Sequence, residues 1–419
     1  MNTPASGKQS RADFVFVYLA YTLRYLYLLL LIPFYGRVLG VEGYGVVLAA
    51  MSLMTIVWRF VEWGFGTFGM RSIATASTDQ YAGLFSQHVS ARLLLSVLAM
   101  IGTGIAIKMS PVLSTHPGAG FAAAALGIVS AFNLGWYYTG SGRPRDAVKL
   151  EVLGFAVSLA LILSLVRGPE DVNLVLLSLL CSGSLVLATA HWWVRKEISH
   201  ARFDVANGAV LIRSASTVFL YSGSSALLVS SSTYLLSIIS TPAEVGAFGA
   251  AERLVAVGLS VMGPAGQIFV PRITALFVHD RDGAHALIRK ALLLLVGIGL
   301  CGLLCSLLLG HWIVPLIFGP GFDETVHILQ CLSVLFPISA TTLILSSYVL
   351  IPLHKEALLA KIVLTGAALS IACAIPLGIA YGGMGMAYAR LFGESLVCIG
   401  LTFFCWRMGI LARIFDLKK

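Results

Sequence analysis

Charge is scarce in this chain. Asp, Glu, Lys and Arg together make up 11% of its 419 residues, against 58% hydrophobic. A soluble domain carries roughly 25% charged residues, so that class is excluded. Acids are scarcer still, 19 against 28 bases, which leaves a formal charge of +9. On a chain this apolar, the surplus fits contact with anionic lipid headgroups, and no nucleic-acid partner is expected. Also absent are GxxxxGK[ST], HExxH and GxSxG, and the only adjacent acids are the loop pairs Glu170-Asp171 and Asp323-Glu324. Nothing here suggests ATP hydrolysis or a dedicated catalytic centre, so no enzyme, cofactor or metal is expected. The seven cysteines are odd in number and sit in apolar surroundings. Cys301 and Cys305 share a helix face, but they read as small hydrophobes packing in a span.

What is abundant is long apolar sequence. A membrane-spanning helix needs about 20 such residues. The chain divides into twelve of these segments, at 14–34, 44–66, 91–108, 119–138, 149–166, 172–194, 214–239, 246–270, 290–310, 326–348, 359–379 and 384–406. Of the 28 Lys and Arg, 21 lie in alternate gaps and tails or at the segment ends that border them, three (Arg37, Lys108, Arg167) in or at the edge of the other gaps, and four well inside segments. Positive charge collects on the cytoplasmic side, so both termini are expected there. Lys8 and Arg11 precede the first apolar run, and no small-residue cleavage site follows a short apolar core. The N-terminus therefore reads as an uncleaved signal anchor.

The two halves echo each other. Gly45, Ala49 and Ala50 match Gly246, Ala250 and Ala251, and Arg92-Leu93-Leu94-Leu95 resembles Lys290-Ala291-Leu292-Leu293. The first offset falls at six spans, an even number, so the halves share one orientation. That predicts an all-α membrane protein of about 12 transmembrane helices in two parallel six-helix lobes, a transporter-like plan. The expected organisation is a lobe over 1–194, a cytoplasmic linker over 195–213, a second lobe over 214–406 and a tail over 407–419. The stretch 67–90 mixes apolar and polar residues and could lie as a helix along the inner surface. Prolines at 33, 264, 271, 315, 337 and 376 suggest bent helices.

Charged residues inside the spans are the candidate site. Arg24 has ten span residues on either side, about 15 Å from each end. Its insertion cost is at least about 2.5–3.5 kcal/mol. It faces a cavity or an anionic ligand, or it forms a structural ion pair. Arg59 and Glu62, flanked by Trp58 and Trp63, are either interfacial charges in an aromatic belt or an inward extension of the positive surface. Glu252 and Arg253 point about 100° apart on a helix and cannot pair with each other, so at least one is expected to face a cavity. Arg390 and Glu394 stand at i, i+4 and can pair. Alternatively, Glu394 is a coupling carboxylate. Hydroxyls crowd the seventh span from Ser214 to Thr233, Ser222 and Ser225 among them. They either mediate helix packing or form a wet wall for a sugar-like substrate. Trp136-Tyr137-Tyr138 reads as belt anchors or as a sugar platform.

Several stretches resemble the polysaccharide repeat-unit flippases of the multidrug/oligosaccharidyl-lipid/polysaccharide exporter superfamily. Arg37-Val38-Leu39-Gly40-Val41-Glu42-Gly43-Tyr44-Gly45 looks like that family's R-x-L-G-x-x-x-Y-G turn. Glu62-Trp63-Gly64-Phe65-Gly66 followed by Arg71-Ser72-Ile73-Ala74 is similar to its G-F-x-x-x-x-x-R-x-I-A pattern. The second half adds Ala250-Ala251-Glu252-Arg253-Leu254, Phe269-Val270-Pro271-Arg272 and Ile317-Phe318-Gly319. The resemblance implies a V-shaped, two-lobed flippase in a bacterial inner membrane. Its cargo would be undecaprenyl-diphosphate-linked oligosaccharides, moved from the inner to the outer leaflet for surface polysaccharide synthesis. The bilayer and the polymerase machinery would be its partners. Cavity arginines would hold the diphosphate, with Arg24, Arg59 and Arg253 as candidates and Ser222 and Ser225 beside the sugar. Glu394, Glu252 and Glu62 are the ion-coupling candidates. The rival readings are a cation exporter of the same superfamily, which would usually need an acid where Arg24 stands, and a membrane glycan polymerase or ligase, which would need a long outer loop.

Overall fold

The computed structural model describes residues 7–198, 203–219 and 231–415. The side chains of 7–22, of Arg24, Tyr25 and Leu28, and of Thr217 and Val218 lie outside the described set. Every regular element among the described residues is helical. They are α1 (Gly7–Glu62), α2 (Phe65–Thr75), α3 (Tyr81–Met109), α4 (Pro111–Ser114), α5 (Pro117–Ala131), α6 (Gly135–Gly140), α7 (Pro144–Leu165), α8 (Val172–Arg195) and α9 (Val205–Val218). Then come α10 (Ser232–Ile239), α11 (Pro242–Ser260), α12 (Gly263–His279), α13 (Arg281–Phe318), α14 (Asp323–Leu332), α15 (Leu335–Leu343), α16 (Glu356–Arg407) and α17 (Ile410–Ile414). A π-helical turn, Ile344–Leu350, continues α15. Among the described residues, nine helical segments are long and apolar enough to cross a membrane. The chain is a multi-pass membrane protein.

Two of these helices are too long for one crossing. At 1.5 Å per residue, 56 residues would reach about 84 Å, nearly three hydrocarbon cores. Each is broken at a glycine in a left-handed conformation: Gly40 (φ 68°) in α1 and Gly382 (φ 54°) in α16. The breaks fold the chain back on itself. The rings of Tyr35 and Tyr44 stack at 6.2 Å, although nine residues of straight helix would separate them by about 13 Å. In α16, Ser370 Oγ donates to the carbonyl of Ala389 at 2.9 Å. A Cβ on Gly385 would run into the carbonyl of Leu377, so only glycine lets the hairpin close. The prolines do not end their helices: Pro33, Pro271, Pro315 and Pro376 all sit within helical runs. Proline keeps a helical φ and removes one hydrogen bond, whereas a reversal needs the positive φ that glycine reaches freely.

Helix starts follow local chemistry. Pro111, Pro117, Pro144 and Pro242 each occupy a first helical turn, where a missing N–H costs nothing. Ser110 Oγ accepts from the Leu113 N–H at 3.2 Å and Thr241 Oγ1 from the Glu244 N–H at 3.4 Å, both as N-caps.

Contacts divide the chain into two compact units, Met1–Ile238 and Ile239–Lys419. In the first, small residues let α5 lie directly on α1: a Cβ on Gly127 would come within 2.6 Å of the Met54 carbonyl, and Ala49, Ala50, Ala123 and Ala124 are fully buried. Close backbone approach of this kind supplies the van der Waals packing that joins helices in lipid. The stretch 67–90, expected as one helix, is divided: up to Thr75 it belongs to α2, which buries Phe65, Gly69 and Ile73 along one stripe and exposes Met70 and Arg71, and from Tyr81 it begins α3. Val205 to Arg213 of the expected linker are helical and belong to α9, which packs on α3: the Asp204 N–H donates to Ser90 Oγ at 2.8 Å. The second unit has its own core, built on Met262, Ile288, Leu295, Ile344, Tyr348 and Leu401.

The aromatic run after α5 is not a membrane-interface belt. Trp136, Tyr137 and Tyr138 are buried, at 7%, 1% and 1% exposure. The Tyr138 hydroxyl donates to the Ala190 carbonyl and the Tyr137 hydroxyl to Glu197. Arg143 completes this corner by gripping Glu197 through two nitrogens, at 2.6 and 2.7 Å. The guanidinium holds the Glu197 carboxyl below its ordinary range. The resulting stabilisation is complete above the usual Glu value of about 4.3 and is lost as pH falls through the lower folded-state value. Both side chains are more than a third exposed, so Glu197→Gln should cost at most about 1 kcal/mol at pH 7. Melting curves at pH 7 and in acid would check it. The gap from wild type should close at low pH, and a gap that persists there contradicts this account.

Candidate functional site

The first unit holds a cavity of about 940 Å³ lined from α1, α2, α5, α6, α7 and α8, with Arg92 of α3 and Phe219 beside them. Two helix breaks open onto it. One follows α1, where Trp63 (φ 48°) and Gly64 (φ 80°) both take left-handed conformations before α2 begins. The other separates α5 from α6 at Phe132 to Leu134, where Asn133 Oδ1 accepts from the Gly135 N–H at 2.7 Å. Discontinuous helices are tolerated at membrane depth where they line a cavity, because the freed backbone groups can be satisfied there.

Arg59 stands in the last turn of α1 and lines this cavity. Its guanidinium lies 4.3 Å above the ring of Trp58. Its buried Nε has no hydrogen-bond partner, and among the described residues no carboxylate pairs with it. A cation held by an aromatic face and left without an acid has the chemistry to accept an anion. Glu62, one turn on, is committed to backbone: its carboxylate accepts from Gly64 at 2.9 Å and from Gly66 at 2.6 Å. Tyr27, stacked on Phe155 at 4.6 Å, shares a 2.9 Å hydrogen bond with Ser158, and Glu151 lies exposed on the cavity lining.

Arg92 was counted from sequence as one more inner-gap charge, yet it belongs to this site. It is 2% exposed, lies 5.3 and 5.5 Å from the rings of Phe65 and Trp136, and lines the cavity. Gly69 makes the arrangement possible, since a Cβ there would sit 2.6 Å from Trp136 and 2.8 Å from His88. The sequence signal was Arg92 itself, at the very start of an apolar run.

Arg24 lies on α1 with its side chain outside the described residues, and Ser222 and Ser225 lie outside them altogether. Other hydroxyls of the seventh span serve packing. Ser216 Oγ accepts from Trp63 Nε1 at 3.2 Å, beside the stacked rings of Trp63 and Phe219. Ser237 Oγ meets Ser110 Oγ at 2.9 Å.

The remaining candidates are in the second unit. Arg390 pairs with Glu252 across α16 and α11, rather than with Glu394 one turn along its own helix. Helical spacing made Glu394 available, but α11 brings a carboxylate closer. Arg253 and Glu394 are half-buried, and no partner for either stands among the described residues. The described structure thus joins Arg59 and Glu62 in one cavity, and Glu252 and Arg390 in one pair.

Residues 10–277 match the family model described as "Polysaccharide biosynthesis protein". A protein of Escherichia coli (strain K12) described as a candidate O-antigen transporter is 24% identical over 398 residues, covering 92% of this chain and 94% of that one. Among solved structures, the lipid II flippase MurJ in an inward closed conformation superposes with a TM-score of 0.70 at 12% identity, covering 96% of this chain and 90% of that one. An inward-facing multidrug transporter of the MATE family, in the MOP superfamily, gives 0.61 at 17% identity, covering 92% and 98%. At these identities the structural matches establish the fold.

Proposed function

We propose that this chain, which belongs to the polysaccharide biosynthesis protein family, is a flippase for undecaprenyl-diphosphate-linked oligosaccharide units. In this reading it works in a bacterial cytoplasmic membrane with both termini inside, and delivers the units to the outer leaflet for polymerisation. Two lobes joined through 195–213 are part of the same reading. The observation that carries it is the unpaired guanidinium of Arg59 in a large, partly polar cavity, in a chain aligned end to end with a candidate O-antigen transporter.

The chemistry fits the cargo. A diphosphate calls for a desolvated guanidinium, whose planar fork binds two oxygens at once. Sugars call for hydroxyls and aromatic faces, and Tyr27, Trp58, Asn133 and Ser158 offer both along the cavity. Arg24, Arg253, Ser222 and Ser225 complete the proposed binding set. Outward movement of an anion from a negative-inside cell is favoured by about 2.3 kcal/mol per charge per 100 mV. Of the three acids considered for ion coupling, Glu62 and Glu252 already have partners, and the role falls to Glu394.

Deletion in the native host, followed by leaflet-resolved analysis of lipid-linked intermediates, tests the reading. Complete units should accumulate on the inner leaflet and clear when the wild-type chain is restored. Accumulation of unpolymerised units on the outer face would point to a polymerase instead.

A further inference from the structure

The first turn of α2 is where an anion would be expected to bind, and it is already occupied by one. Helix N-termini present unpaired N–H groups and a positive dipole end, which together form a ready anion site. Here the Glu62 carboxylate takes the N–H groups of Gly64 and Gly66. It reaches them because Trp63 and Gly64, both at positive φ, turn the chain back over the end of α1.

A separate observation marks the same spot. Arg92, from α3, is 2% exposed, lies 5.3 Å from the ring of Phe65 in the first turn of α2, and lines the cavity together with Gly64, Gly66 and Thr67. Among the described residues its guanidinium donates from Nη1 to the His88 carbonyl over a long 3.3 Å, and its Nε has no partner. A guanidinium this buried and this poorly satisfied is costly unless something else uses it. Among the described residues no carboxylate oxygen is within 4.0 Å of its nitrogens, and the acid whose charge does reach it is Glu62. Glu62 spends its oxygens on backbone.

The geometry points to a phosphoryl subsite formed by the first turn of α2 and Arg92, in which Glu62 is a resident carboxylate that a phosphate group displaces. Glu62 keeps the α2 end satisfied while the cavity is empty, and its charge opposes weak anions. A diphosphate brings more charge and more acceptor oxygens. It can take over the two N–H groups and engage Arg92 as well, after which Glu62 swings into the cavity. The inference rests on the proposed function for its cargo, since it names where one phosphate of that cargo would sit.

The test is binding of inorganic pyrophosphate to the full chain in phosphatidylcholine nanodiscs, read by the fluorescence of the cavity tryptophans. Glu62→Gln keeps an acceptor oxygen for the backbone and removes the charge. It should bind pyrophosphate roughly tenfold tighter than wild type. Adding Arg92→Met to that variant should reverse the gain, and Arg92→Lys, which keeps the charge without the fork, should fall between. Melting curves identify any variant that fails to fold, and the glutamine and lysine variants carry the test if the methionine one does. Discs containing phosphatidylglycerol separate the sources: competition assigns the subsite to lipid headgroups, and an unchanged affinity assigns it to a diphosphate. Pyrophosphate binding indifferent to Glu62, or unaffected by Arg92→Lys, overturns the inference even if glycan flipping still depends on Arg59. Binding as expected in a chain that moves no glycan would leave the subsite in place and remove the proposed function.

Discussion

Arg59→Ala should lower transport of lipid-linked units by at least about a hundredfold while leaving the protein as abundant as wild type. Hydrogen bonds to charged groups contribute about 1.5–3 kcal/mol each, and a guanidinium that meets a phosphate through its fork makes two. Losing both removes about 3 kcal/mol or more of anion binding, which is a factor of a hundred or more. Folding should be spared. Arg59 has no carboxylate partner to strand, and its main recorded contact is the face of Trp58, worth about 0.5–2 kcal/mol. Arg59→Lys keeps the charge and loses the fork, so it should recover only part of the rate. The measurement is the complementation assay described above, with chain abundance scored alongside. Wild-type clearance of inner-leaflet units by Arg59→Ala would show that this cavity does not hold the diphosphate.

Much of this architecture was legible because a bilayer imposes simple rules. Apolar runs of span length located the helices, and both long hairpins fall where sequence placed a pair of spans. The stretch that looked like the family's R-x-L-G turn contains Gly40, where α1 breaks. What sequence could not show was pairing across helices. Arg390 and Glu394 satisfy the one rule that spacing supplies, yet the acid that meets Arg390 comes from 138 positions earlier. Arg92 was hidden for a related reason. A charge beside a span reads as solvated, and nothing local reveals that Phe65, Trp136 and Gly69 will close over it. The tryptophan and tyrosine run misled in the opposite direction. Interfacial aromatics and buried aromatics have the same composition, and only the Glu197 and Ala190 acceptors tell them apart.

The cross-helix pair gives the other large effect. Arg390 and Glu252 are 15% and 22% exposed, so neither is well solvated, and they form an ion pair across two helices. Arg390→Met should therefore destabilise the second unit by about 3 kcal/mol, because it takes a guanidinium partner away from a poorly solvated carboxylate. The double variant Glu252→Gln with Arg390→Met removes both charges and should recover most of that loss. Thermal unfolding in detergent measures both, and a double variant as unstable as Arg390→Met would mean the cost lies in packing around Arg390 rather than in the lost charge pairing. The same pair of variants bears on ion coupling. A Glu252 that serves only as a counterion can be neutralised together with Arg390 without loss of transport. If the stable double variant nevertheless stops moving cargo, Glu252 would have to be the titrating acid, and the coupling role assigned to Glu394 would pass to it.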